Sequence, residues 1–317
     1  MIEIDVVKKV LVDCLGLKKG EKLLVLADDS KKDIGMVFYE AGKSMGAEAV
    51  SIVIPILDRP GQEPIKMVAE AMKHSEVAVC LTQHSITHTK AKKEATEQGA
   101  RIATMPGITE DMFERGALTA DYTEVEILTE KVCTVLDKGR KATIIKDDYI
   151  LELNINGRLA VKSTGRYLLA GQSGNLPSGE AYIAPIEGLA NGEVLVDGSI
   201  AGLGRLKSPL LLQIRDGYLM NAIGEEAERF MELIGEDNSA RNIAEFGIGT
   251  NPKAMLTGNI LEDEKILGTV HVAFGSNFSF GGNVNAGLHI DAVILRPTVY
   301  IDDILILNNG ILKLQKN

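Results

Sequence analysis

Two of the five histidines of this chain stand near its C-terminal end, among carboxylates and inside apolar runs that read as strands. One run is Leu261-Glu-Asp-Glu-Lys-Ile-Leu-Gly-Thr-Val-His271 and the other Leu288-His289-Ile290-Asp291. Strand side chains alternate faces with period two, so His289 and Asp291 point one way and Ile290 the other. An imidazole and a carboxylate on one face are donors suited to a divalent metal. A catalytic metal site draws such donors from several elements and keeps a position open for water or substrate. Further candidates are Glu180, in the turn-rich Gly174-Asn-Leu-Pro-Ser-Gly-Glu180, and Glu245, in the apolar Ala244-Glu-Phe-Gly-Ile-Gly249. Glu264 precedes His271 by seven residues. A carboxylate buried in such a strand is costly unless it is paired or metal-bound. Each residue also has a structural reading: a hydrogen-bonded strand histidine, a capping Glu180, a solvated turn for Glu262, Asp263 and Glu264. Their convergence on one stretch of chain favours a metalloenzyme.

The remaining chemistry-bearing residues read as structural. His84 and His88 are four apart, in Leu81-Thr-Gln-His-Ser-Ile-Thr-His-Thr-Lys90, but a loop and a helix N-cap are expected there, with Ser85, Thr87 or Thr89 as cap. A structural or substrate-orienting role fits them better than metal binding. His74 lies near a helix C-terminus, where it complements the dipole. Cys80, four residues before His84, sits in an apolar strand and reads as a core thiol. Cys14, Cys80 and Cys133 are odd in number and in no CxxC pattern, as in a reduced cytoplasmic protein. There is no HExxH or P-loop motif.

These candidates need a scaffold. The chain has 317 residues, 45% of them hydrophobic, which suggests two domains with substantial cores. A net charge of −10, with aromatics at 4% and no Trp, disfavours nucleic acid. No uncharged apolar run is long enough to span a membrane, and the N-terminus has no signal-peptide layout. Residues 3–15 and 31–45, Glu63–Lys73 and Lys90–Gln98 carry helical signals. Between them lie short apolar strands at Lys22–Ala27, Glu48–Ile54, Val77–Leu81 and Arg101–Met105. This alternation predicts a Rossmann-like α/β domain over residues 1–139, its parallel sheet covered on both faces. No GxGxxG follows its first strand, so a dinucleotide is not indicated. From residue 140 to 317 the pattern changes to a mainly β (α+β) domain that carries the candidate metal site. A hairpin is expected at Asn156-Gly157, with more turns at Asp197-Gly198, Asp216-Gly217 and Asn309-Gly310. One helix is expected at Glu225–Ile234, within a curved or barrel-like sheet.

Taken together, these segments resemble the thermophilic aminopeptidase family, the metallopeptidases that include aminopeptidases T and S. The resemblance covers most of the chain. It rests on Thr82–Ala91 and Gly99–Glu110, on Asn175-Leu-Pro-Ser-Gly-Glu180, and on Glu245 before a glycine turn. Asp263-Glu264 before His271-Val-Ala-Phe-Gly275, and the closing His289-Ile-Asp291, complete it. It implies a two-metal site of Glu180, Glu245, Glu264, His271, His289 and Asp291, with Glu180 and Glu245 also catalytic and Zn, Co or Mn as the divalent metal. Glu262 stays open as an alternative to Glu264. The implied function is a cytoplasmic, homodimeric aminopeptidase-like hydrolase acting on short peptides. Seven residues after the first histidine, where the family has a tyrosine, stands Phe278; Tyr182 and Tyr300 are possible substitutes. A branch of the same superfamily, the dihydroxypyridine dioxygenases, is similar in fold and gives the alternative. There His271, His289 and Asp291 hold a single Fe(II) for ring cleavage. A non-enzymatic, metal-stabilised scaffold is the third reading, disfavoured by six ligand-type residues in matching order.

Overall fold

Strands buried on both faces read as unbroken apolar runs, and Leu23–Ala27 and Val77–Leu81 are fully buried in the computed structural model, which describes residues 2–314. They form the middle of a parallel sheet in the order Glu48–Ile54, Lys22–Asp28, Val77–Leu81, Arg101–Thr104, Ser173–Asn175. Alternate residues feed two cores. Leu23, Val25, Val77 and Val79 join one, while Leu24, Leu26, Ala78 and Cys80 join the other. Glu48–Ile54 is instead an edge strand, with Val50 and Val53 exposed. The helices are Lys32–Ser44, Lys66–Lys73 and Lys90–Glu97, preceded by Ile4–Lys9, which continues as a π-helical turn over Val10–Cys14. Glu63 lies outside its expected helix because its carboxylate accepts from the backbone N–H groups of Lys90 and Ala91, at the start of the next one. Thr89 caps that helix by accepting from Lys92 N at 3.3 Å, so His84 and His88 precede the helix and their spacing of four has no helical face behind it.

The chain divides into two units. One comprises the chain up to Glu126 together with Gly165–Ser178, and the other comprises Ile127–Thr164 and the chain from Gly179 on. Gly139 thus falls inside the second unit, just after the helix Tyr122–Lys138.

The second unit contains two antiparallel sheets rather than one curved sheet. The larger runs Tyr218–Ile223, Leu210–Arg215, Asn191–Val196, Tyr149–Asn154, Lys141–Lys146, Thr298–Ile301, Ile304–Asn308, Ile311–Leu312. The smaller runs Gly204–Arg205, Ser199–Ile200, His289–Ile294, Val270–Gly275, Ile243–Gly249, Glu180–Ile183, Val161–Ser163. Inward residues of both share a single apolar core. The Asp216-Gly217 and Asn309-Gly310 turns join neighbouring strands, each residue having positive φ as a type I′ turn requires. The hairpin expected at Asn156-Gly157 is absent. Tyr149–Asn154 pairs backwards with Lys141–Lys146 through Asp147, which takes φ 53° without glycine. That pairing buries Ala142, Ile144, Leu151 and Leu153, whereas Leu159 beyond Asn156-Gly157 is exposed. Helix Ala227–Ile234 begins two residues later than expected. Among the described residues no helix is long and apolar enough to cross a membrane.

All three cysteines are free and buried. Burial pushes the Cys80 thiol up to about 12, so it carries no thiolate at neutral pH and is no nucleophile.

Candidate metal centre

Four strands of the smaller sheet build the centre, and their register decides which side chains meet. Glu180 lies opposite Gly249, and Tyr182 opposite Gly247, which in turn faces His271. Glu245 lies opposite Ala273, Ala273 opposite Asp291, and Gly275 opposite His289. Opposed residues share a face and alternate residues along a strand repeat it. One face therefore carries Glu180, Tyr182, Glu245, His271, His289 and Asp291. The other face carries Ala181, Ile183, Phe246, Ile248, Val272, Phe274, Ile290 and Ala292, all in the core. The polar face has room because its remaining positions are small. A Cβ on Gly247 would lie 2.0 Å from His271 Nε2, inside the space of the ring.

Five of the six candidate ligands form a continuous chain of contacts, and Glu264 joins it through a lysine. His271 Nε2 is 3.2 Å from Glu245 Oε1 and 3.5 Å from Glu180 Oε2. His289 Nε2 is 3.4 Å from Glu245 Oε2 and 3.3 Å from Asp291 Oδ1. Two donors bound cis to one metal at about 2.1 Å lie about 3 Å apart, so these spacings match adjacent corners of one coordination sphere. His289 Nδ1 lies 2.8 Å from the Ser276 carbonyl, to which it can only donate, which leaves the Nε2 lone pair for a metal. Glu180 Oε2 and His271 Nδ1 are buried without a hydrogen-bond partner. Glu180–Glu264–His271 and Glu245–His271–Asp291 each bring three donor atoms within 4.8 Å of one another. The donor set, mixed imidazole nitrogen and carboxylate oxygen, fits a divalent transition metal.

Sequence reasoning missed Lys265. Its side chain is 1% exposed, and its Nζ lies 2.7 Å from Glu180 Oε1 and also bonds Glu264 Oε1. Glu180 and Glu264 therefore share one ammonium. The run Glu262-Asp-Glu-Lys265 reads as acidic in sequence, and nothing in it marks the lysine as buried. Glu262 is buried but belongs to neither donor group found among the described residues. Asp263 is structural, accepting from the Thr257 and Gly258 backbone N–H groups at 2.7 and 2.8 Å. Phe278 is 66% exposed. Tyr182, on the site face, packs edge-on to Phe280 at 5.4 Å, and Phe280 packs on His289 at 5.9 Å. Tyr300 lies in the other sheet.

Desolvation opposes every charge here, and the partners decide the outcome. Burial pushes Glu264 up to about 8 against the pull of Lys265, with repulsion from Glu180 and Asp291 adding to it. Burial would raise Glu245, but hydrogen bonds from His271 and His289 hold it below its ordinary value. Burial would likewise raise Asp291, yet the His289 charge brings it down to about 2. Burial disfavours protonated His271, but the hydrogen bond to Glu245 and the charges of Glu180 and Glu264 raise it to about 9. His289 is raised well above its ordinary value, desolvation being outweighed by Asp291 and Glu245.

A pH prediction follows for the metal-free protein. A raised histidine contributes stability that is complete below its unfolded value of 6.5 and is lost as pH climbs through about 9. Glu264, an acid raised to about 8, loses stability in the same direction. A metal held by both imidazoles would displace their protons, so its binding would strengthen as pH rises. The melting-temperature gain on adding a divalent transition metal is expected to grow from pH 6.5 to pH 9; saturation at one hundred times Kd corresponds to about 2.7 kcal/mol. A gain that shrinks over that range would contradict this.

A parallel α/β unit joined to a mainly β unit, with imidazoles and carboxylates gathered on one sheet face, defines an enzyme built around a divalent-metal site. The profile of the NicX family, 2,5-dihydroxypyridine 5,6-dioxygenase, matches residues 3–314, and the chain belongs to that family. Among solved structures, 2,5-dihydroxypyridine dioxygenase from Pseudomonas putida KT2440 is similar over 99% of this chain and 97% of that one, with TM-score 0.84 and 18% identity. AmpT from Thermus thermophilus is similar over 98% of both chains, with TM-score 0.72 and 18% identity. A comparison with curated protein sequences gave no match. The resemblance to thermophilic aminopeptidases is thus one of fold. The expectation of an aminopeptidase, and with it of metalloprotease, leucyl aminopeptidase or other hydrolase chemistry, is overturned by the family match and by the dioxygenase fold match.

Proposed function

We propose that this protein is a mononuclear Fe(II) dioxygenase that opens the ring of a dihydroxylated pyridine. The observation that carries the reading is the meeting of His271, His289 and Asp291 on one sheet face, a two-histidine, one-carboxylate set for a single metal. When bound, ferrous iron supplies one-electron chemistry with molecular oxygen beside a hydroxylated ring. His271 and His289 would hold it through Nε2 and Asp291 through its carboxylate. The Ser276 carbonyl fixes the His289 tautomer. Glu245, whose two oxygens face both Nε2 atoms, is placed to take a proton from a ring hydroxyl entering the site. Phe280 and Tyr182 provide aromatic surface beside His289 on which a flat heterocycle can rest.

The test is oxygen uptake by the protein loaded anaerobically with Fe(II) and given 2,5-dihydroxypyridine. One O2 consumed per ring, with loss of the ring's ultraviolet absorbance, is expected. Iron-loaded protein that consumes no oxygen with any dihydroxypyridine isomer would overturn the proposal.

A further inference from the structure

Two donor groups share His271: Glu180 and Glu264 on one side, Glu245 and Asp291 on the other. By donor chemistry each could take a divalent cation, and two-metal sites place their ions about 3.5–4 Å apart. Only one of the two is open. On the other side the Lys265 ammonium bonds both Glu180 and Glu264. It is held there by more than its charge. The Lys265 N–H donates to the Glu262 carbonyl at 2.9 Å, and its carbonyl accepts from Asn251 N at 2.8 Å. Asn251 and Ile266 form a parallel bridge. The segment can lie this close to the sheet because position 249 is glycine, where a Cβ would lie 2.1 Å from the Ile266 carbonyl oxygen. Glu180, 6% exposed, keeps Oε2 free of hydrogen bonds and 3.5 Å from His271 Nε2. It is therefore a carboxylate half used by the lysine.

We infer that Lys265 is a built-in monovalent cation that fills the second cation position and fixes the centre at one metal ion per chain. The inference rests on the reading of His271, His289 and Asp291 as metal ligands. An ammonium bonded to both acids repels a divalent ion from the same few ångströms. It also takes lone pairs that a second ion would need. Removing the ammonium leaves Glu180 and Glu264 without a cation between them, a place that a divalent ion can take by displacing the proton from Glu264.

The experiment is calorimetric titration of metal-stripped full chain with Mn(II), comparing wild type, Lys265→Met and Lys265→Arg. One ion is expected for wild type and for Lys265→Arg, and two for Lys265→Met. The melting temperature of Lys265→Met should also depend on Mn(II) more steeply than that of wild type. A Lys265→Met protein that binds no more ions than wild type overturns the inference. Should that variant fail to fold, Lys265→Gln, which keeps hydrogen-bond donors but no charge, carries the same expectation of one added ion. A wild type that binds no ion would instead overturn the ligand reading itself, a result distinct from an unchanged difference between the two proteins.

Discussion

Replacing His289 with alanine is expected to strip the protein of bound iron and to lower kcat/KM for ring opening at least about a thousandfold, a loss of about 4 kcal/mol of transition-state stabilisation. The residue suits the test because its side chain is 31% exposed. Its neighbour Ile290 supplies the core contact of that strand end. Circular dichroism should be unchanged, while the metal-free melting temperature should fall, because Asp291 and Glu245 lose the imidazole between them. The measurement is iron per chain after anaerobic loading, alongside oxygen uptake. A His289→Ala protein that keeps a full equivalent of iron and its activity would exclude this histidine as a ligand.

Gly247→Ala is expected to disable the centre without touching a ligand. The added methyl would sit 2.0 Å from His271 Nε2, where no real contact exists, so the imidazole must swing away. Displacement of a catalytic group by about 1 Å costs about a hundredfold in rate. A loss of that order in kcat/KM is expected, together with a metal affinity weakened about tenfold to a hundredfold. Gly247 is in a strand and needs no positive φ, so backbone strain does not enter. Gly287→Ala is the control, since a Cβ there meets nothing within 4 Å. Equal activity in the two variants would show that the His271 ring is not confined as described.

Period-two alternation made much of this legible in advance. His289 and Asp291 could be placed on one face from sequence alone, and the apolar residues between the ligands are those that enter the core. The first sheet was equally readable, because Leu23–Ala27 and Val77–Leu81 have no polar face to confuse the pattern. Three things were not readable. Asp147 turns a hairpin without glycine, so the strand Tyr149–Asn154 was assigned the wrong partner. Lys265 looks like a solvent-facing lysine in an acidic run, and only the approach of Ile266 to Gly249 shows why it is buried. The reaction was also beyond the ligand list, since the same glutamates, histidines and aspartate serve a peptidase reading as readily as a dioxygenase one. What separates the two readings is the family match.

The interleaving of the two units bears on how such a protein can arise and be re-engineered. Residues 165–178 return to the first unit, giving its sheet the strand Ser173–Asn175, and five residues after that strand the chain delivers Glu180 to the second. No single cut in the gene separates the units, since each is assembled from two stretches of chain. A crossover before residue 173 would part the first sheet from the strand Ser173–Asn175, and one just after that strand would part the second unit from Ile127–Thr164. New activities on this scaffold are therefore reached more readily by point substitution on the polar face than by exchanging modules.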